Sequence, residues 1–147
     1  MIRLQVINMK TIVVKFGGTS LASAGQIKKA ADIIRANPAR RYVTASAPGK
    51  RTSSDIKVTD LLYKCYDAAD AGEDFLEILE QIKQRFADII RDLGIEFNLD
   101  VEIAKIRSHL ESCPQRDYMA SRGEYLNSKI IASYFSRYNH IKYFLIV

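Results

Sequence analysis

Thr11-Ile12-Val13-Val14-Lys15-Phe16-Gly17-Gly18-Thr19-Ser20 is the stretch that decides the fold. Its compact β-branched run, closed by a glycine pair, predicts a buried strand over residues 11–16 followed by a turn. Downstream, Ser23 or Ala24 opens a helix that places Ile27, Ala30, Ala31 and Ile34 on one face at helical spacing. Asn37-Pro38 stops that helix, and residues 41–47 read as a second strand ended by Pro48-Gly49. Strand, helix and strand in this order predict a right-handed parallel βαβ unit, hence an α/β protein.

Further outward, residues 49–57 are polar and aperiodic, and are expected to form a mobile surface loop near the strand tips. A helix follows from about Thr59, with Leu61, Leu62, Cys65, Ala68 and Ala69 as its apolar face and Gly72 as its end. Thr59 itself suits the cap of that helix. Phe75, Leu79, Ile82, Phe86, Ile89 and Leu93 form the longest stripe in the chain, ended by Gly94. Leu99, Ile103, Ile106 and Leu110 repeat the spacing, so the two stripes predict an antiparallel helical hairpin packed as core. Another helix is expected from Asp117 to about Tyr138, then an apolar strand over residues 141–147. A buried strand at the end of a chain reads as a sign of truncation. Residues 1–9 read as an N-terminal extension, and Met9 is a second candidate start.

Composition narrows the function. The chain has 147 residues, enough for one domain with a real core, and 48% hydrophobic with 27% charged residues is ordinary for a globular protein. The net charge of +5 suits anionic small molecules such as ATP. Its basic residues occur in short doublets with no one-sided stripe, which argues against nucleic acid. No stretch approaches 18 consecutive apolar residues, so no membrane span is expected. Cys65 and Cys113 lie far apart without a CxxC pattern and read as reduced thiols, and neither His109 nor His140 has a partner at zinc spacing.

Three segments could carry chemistry, each near a strand tip or helix start, where open α/β sheets bind ligands. In the first, Gly17-Gly18 lets backbone amides approach phosphate oxygens, and Lys15 can aim an ammonium at the same oxygens. The same residues also suit a plain tight turn with a surface lysine. The second is Ser46-Ala47-Pro48-Gly49-Lys50, followed beyond the loop by Thr59-Asp60; small residues leave space there, and hydroxyls with helix-start amides can hold a carboxylate. The third is Ser121-Arg122-Gly123-Glu124, where a glycine inside a helix marks close approach and Glu124 could face a substrate amine. An exposed helical glutamate is the plainer reading of Glu124.

In combination and in this order, KFGGTS, SAPGK, VTDLLY and SRGEYL resemble the aspartate kinase family, within the larger amino-acid-kinase group. The resemblance covers Lys10 to Tyr138, and the loop after Pro48-Gly49 resembles the lysine-sensitive monofunctional branch. It implies a partial three-layer α/β/α fold, with residues 10–147 as the substrate-side part and the nucleotide-binding half and regulatory ACT domains absent. It further implies transfer of a phosphoryl group from ATP, with Mg2+, to the side-chain carboxylate of L-aspartate. The product would be 4-phospho-L-aspartate, the first step toward lysine, threonine and methionine. Lys15 matches the family's catalytic lysine; Gly17, Gly18, Thr19 and Ser20 match the phosphate loop. Ser46, Thr59 and Glu124 match substrate positions, with Glu124 taking the α-amino group. No protein metal ligand is implied. A cytoplasmic homo-oligomer is expected, and this stretch by itself is expected to be inactive. A non-catalytic remnant and a sister amino-acid kinase are the alternatives. Two departures stand out: residues 141–147 lack the Asp-Ala expected after the SRGE helix, and Thr44-Ala45 stands where valines are commoner.

Overall fold

The computed structural model describes residues 11–137 and, as backbone, residues 143–145. The N-terminal extension and the second candidate start lie outside these residues, as does most of the last expected strand. The elements run β1 (Ile12–Phe16), a single 3-10 turn (Gly18–Leu21), α1 (Ala24–Arg35), β2 (Arg40–Ala45), α2 (Val58–Asp70), α3 (Leu76–Leu93), α4 (Leu99–Ser112), α5 (Arg116–Phe135) and β3 (Tyr143–Leu145).

The sheet has the order β1-β2-β3 and both pairings are parallel. Val14 lies opposite Val43 and Phe16 opposite Ala45, while Val43 pairs on its other side with Phe144. The parallel βαβ start therefore stands as expected, but β1 is not the buried strand its β-branched run predicted: its residues alternate between half-buried and exposed, with Val13 and Lys15 outward. β2 leaves the ladder two residues earlier than its apolar pattern suggests. Beyond Ala45 the strand tip is held differently: Ser46 N donates to Phe16 O at 3.1 Å and Gly49 N to Gly18 O at 2.8 Å.

Helix boundaries follow local chemistry. The Ser23 side chain accepts from Gln26 N and caps α1, whose Ile27, Ala30, Ala31 and Ile34 are all buried. Gly94 ends α3 in the left-handed region, φ 63° and ψ 42°, where a side chain would be strained. Asn98 caps α4 through Val101 N. At α2 the expected cap is displaced: the helix begins at Val58, Lys57 occupies the cap position in extended backbone, and no side chain caps it. Thr59 is thus the second helical residue, its hydroxyl not needed for the cap.

A single core joins sheet and helices. Val43 and Ala45 of β2 meet Leu62 and Cys65 of α2, Phe86 of α3 and Ile130 of α5 in one buried cluster. The α3 stripe is buried as its spacing requires, and α4 is tied to it by the Lys83–Asp100 ion pair at 2.7 Å. The hairpin does not pack on itself alone, since α3 meets α2 more extensively than it meets α4. Cys65 is buried, which pushes its thiol up to about 12, while Cys113 is exposed.

Candidate active site

The three chemistry-bearing segments converge through glycines. A Cβ on Gly18 would stand 2.8 Å from Ala47 O, and one on Gly49 would stand 2.6 Å from the carbonyl carbon of Gly18. A Cβ on Gly123 would meet Ala47 Cβ at 2.8 Å and Leu62 Cδ1 at 3.1 Å. The turn after β1, the tip of β2 and the middle of α5 therefore touch backbone to backbone or nearly so. The in-helix glycine of SRGE marks a close approach, as its sequence context implies.

Where they meet, a cleft of about 250 Å3 is lined by Gly18, Thr19, Ser46–Gly49, Lys57, Thr59 and Glu124. Five of the sequence-nominated residues thus share one cavity: Gly18, Thr19, Ser46, Thr59 and Glu124. Lys15, Gly17 and Ser20 do not line it. Lys15 lies on β1 opposite Thr44 in the sheet register, and its side chain is exposed. A Cβ on Gly17 would meet nothing within 4 Å, so the close approach belongs to Gly18 rather than to the pair.

Three supporting residues carry no motif. Asn127, fully buried on α5, donates from Nδ2 to Ser46 O at 2.7 Å. Lys57 adds a cation at the rim. Arg85, buried on α3, donates from Nη2 to Gly49 O at 2.8 Å and from Nη1 to Ile56 O at 2.9 Å. Its Nη1 also lies 2.9 Å from Asp55 Oδ2. The loop over residues 49–57, expected to be mobile, is thus fastened at both ends. A position three residues from Ile82 and four from Ile89 puts Arg85 on the apolar face of α3, which is the signal in the sequence that could have found it.

Asp55 also accepts from Arg51 N and Arg51 Nε, each at 2.9 Å. The Arg51 side-chain hydrogen bond is the main reason its carboxyl lies well below the ordinary carboxylate range, with Arg85 adding to it. A depressed folded value means stability that is complete above the ordinary value near ~4 and is lost as pH falls through and below it. Asp55→Asn should therefore flatten the acid limb of a stability-versus-pH curve below about pH 4. An unaltered limb in chemical denaturation would show that this carboxylate is not linked to folding.

A larger cleft of about 350 Å3 lies over Arg51, Asp55, Gln84 and Asp88. Its charges already neutralise one another, since Arg51 lies within 3.7 Å of Asp88 and pairs with Asp55. The smaller cleft brings unpaired chemistry and strand-tip backbone together, and it is the better candidate. Among the described residues no group of three or more His, Cys, Asp or Glu side chains could hold a metal ion. No helix among them is long and apolar enough to cross a membrane.

A parallel α/β sheet with a glycine-built cleft at its strand tips is the architecture of a small-ligand-binding domain, and the chain belongs to the amino acid kinase family, whose profile matches residues 10–144. Within that family its relatives are aspartokinases. Aspartokinase 3 of Bacillus subtilis (strain 168) is 40% identical over 139 residues, which are 88% of this chain and 30% of the relative. Chloroplastic aspartokinase 1 of Arabidopsis thaliana is 31% identical over 140 residues, covering 84% of this chain and 23% of the relative. Among solved structures, the aspartate kinase of Clostridium acetobutylicum aligns with a TM-score of 0.83 at 42% identity, over 86% of this chain and 29% of that one. Aspartokinase III of E. coli, solved in complex with aspartate and ADP, shares the fold with a TM-score of 0.65 at 21% identity, over 88% of this chain and 29% of its own. This chain spans at most 30% of the length of these relatives.

Proposed function

We propose that this chain forms the acceptor side of an aspartate kinase, transferring the γ-phosphoryl group of ATP to the side-chain carboxylate of L-aspartate. The observation that carries the reading is the single cleft uniting Gly18 and Thr19 with Ser46, Thr59 and Glu124 from three separate segments. Glu124 would take the α-amino group of the zwitterionic acceptor, with Ser46 and Thr59 hydroxyls and the Lys57 ammonium near its carboxylates. A side-chain carboxylate oxygen of aspartate attacks the γ-phosphorus, the bond to the β–γ bridging oxygen breaks, and ADP leaves. The amides of Gly17 and Gly18, with Thr19 and Ser20, would cradle phosphate oxygens, and Lys15 would balance charge on the transferring group. Mg2+ would arrive on the nucleotide phosphates, as is usual where it serves phosphoryl transfer. The adenine site would come from sequence corresponding to the rest of the relatives' length. A cytoplasmic, homo-oligomeric enzyme of amino-acid biosynthesis, with the lysine-sensitive loop, completes the reading.

The test joins this chain to the remaining portion of Bacillus subtilis aspartokinase 3 in place of its own matching segment. ATP, Mg2+ and L-aspartate are then assayed for acyl phosphate trapped as the hydroxamate. Aspartate-dependent product, absent with L-glutamate or N-acetylglutamate, is the expected result; a folded chimera with no product contradicts it. In that protein Glu124→Ala should raise the KM for aspartate about tenfold, the value of one charge-assisted contact, with the KM for ATP near normal. Equal changes in both constants would remove Glu124 from the acceptor site.

A further inference from the structure

Resting on the reading of the cleft as the acceptor site, we infer that Arg85 is a positioning residue that sets the cleft's width by fastening both ends of the loop over residues 49–57. Arg85 is 5% exposed, on a helix face otherwise made of Leu79, Ile82, Phe86, Ile89 and Leu93. Such a position is satisfied more cheaply by an aliphatic residue, because a buried charge must recover its desolvation from its partners. Arg85 does so through two carbonyls seven residues apart in sequence, Gly49 O and Ile56 O, with Asp55 as counter-charge.

Each anchored carbonyl adjoins a cleft wall. Gly49 lies against Gly18, to which its own N–H is bonded, and Ile56 precedes Lys57, Val58 and Thr59. Val58 N in turn donates to Pro48 O at 3.2 Å, so the two walls are also stitched to each other. A planar fork can serve both carbonyls at once, whereas a lysine ammonium is a single point on a flexible stem. Arg85 Nε is buried and has no hydrogen-bond partner, so the side chain is committed to its two terminal nitrogens. The residue acts on substrate only through the backbone it holds.

The experiment compares the chain with its Arg85→Met, Arg85→Lys and Ile106→Val variants. Ile106 lies in the core on α4, does not line the cleft, and serves as a control for plain loss of stability. Amide exchange is read at Gly49 and Val58, and L-aspartate affinity by titration calorimetry. Arg85→Met should speed exchange at both amides and weaken aspartate binding about tenfold, the loss of one charged hydrogen bond. Arg85→Lys should restore protection at no more than one of the two amides, and Ile106→Val should leave affinity within about twofold. If Arg85→Met fails to fold, Arg85→Lys gives the same two readings. Exchange unchanged at both amides overturns the clamp, as does an affinity loss that Ile106→Val shares. Absence of aspartate binding by the parent chain overturns the assignment of the cleft instead, and the exchange rates still show whether Arg85 holds the loop.

Discussion

Lys15→Ala is expected to lower phosphoryl transfer about 10²–10³-fold in the chimera with Bacillus subtilis aspartokinase 3, the usual loss when a preorganised electrostatic contact to a developing charge is removed. β1 alternates, so that Val13 and Lys15 face outward while Ile12, Val14 and Phe16 turn inward. Lys15 is the last outward-facing residue before the glycine turn; its side chain is exposed and does not line the cleft. Lys15 immediately precedes Phe16 and the Gly17-Gly18 turn whose amides are proposed to hold the phosphates, so its ammonium would serve the transferring group from that end of β1. Because the lysine is proposed to act on the transition state, kcat should fall and the KM for aspartate should change little. Hydroxamate formation under single-turnover conditions checks this. A rate within about twofold of the parent would place the essential cation elsewhere, with Lys57 at the cleft rim the next candidate.

Gly49→Ala should cost about 1–3 kcal/mol of folding stability, the range for forcing an atom into a packed site, and should abolish aspartate binding. The added methyl would lie 2.6 Å from the Gly18 carbonyl carbon and 2.8 Å from Thr19 N. Relief by a small shift is blocked, because Gly49 N is bonded to Gly18 O and Gly49 O to Arg85. The constraint is space and not torsion, since only Gly72 and Gly94 have positive φ among the described glycines. Gly17→Ala is the matched control: its methyl would meet nothing within 4 Å, and its effect should stay within about 0.5 kcal/mol. Urea denaturation of the two variants decides the matter. Equal losses would mean that the glycine contact does not govern the turn.

Much of this architecture is legible in the residues because local and long-range signals agree. The α1 and α3 stripes, the Ser23 cap and the Gly94 stop each have a local cause, and the structure places them within a residue or two of expectation. The close approaches at Gly18, Gly49 and Gly123 were legible for a different reason, since such glycines are costly unless backbone must approach a neighbour; the substrate roles of Ser46, Thr59 and Glu124 were implied by the family resemblance alone. What escaped was whatever depends on distant partners. Thr59 looks like a cap from its neighbours, but α2 starts at Val58, after Lys57 in extended backbone, and the free Val58 N–H finds its partner at Pro48 O. The loop over residues 49–57 looks mobile from its composition, but its two fastened carbonyls answer to a side chain on α3. Asn127 carries no motif at all, and its bond to Ser46 O spans from α5 to the tip of β2. Hydrogen bonds between residues so far apart leave no period in the sequence.

The most direct measurement of the central claim is an amide NMR titration of this chain with L-aspartate. Saturable shifts gathered at Gly18, Thr19, Ala47, Gly49, Thr59 and Glu124 are expected, with their loss in Glu124→Gln. Shifts gathered instead around Arg51 and Asp88, or no shifts from a folded chain, would contradict it.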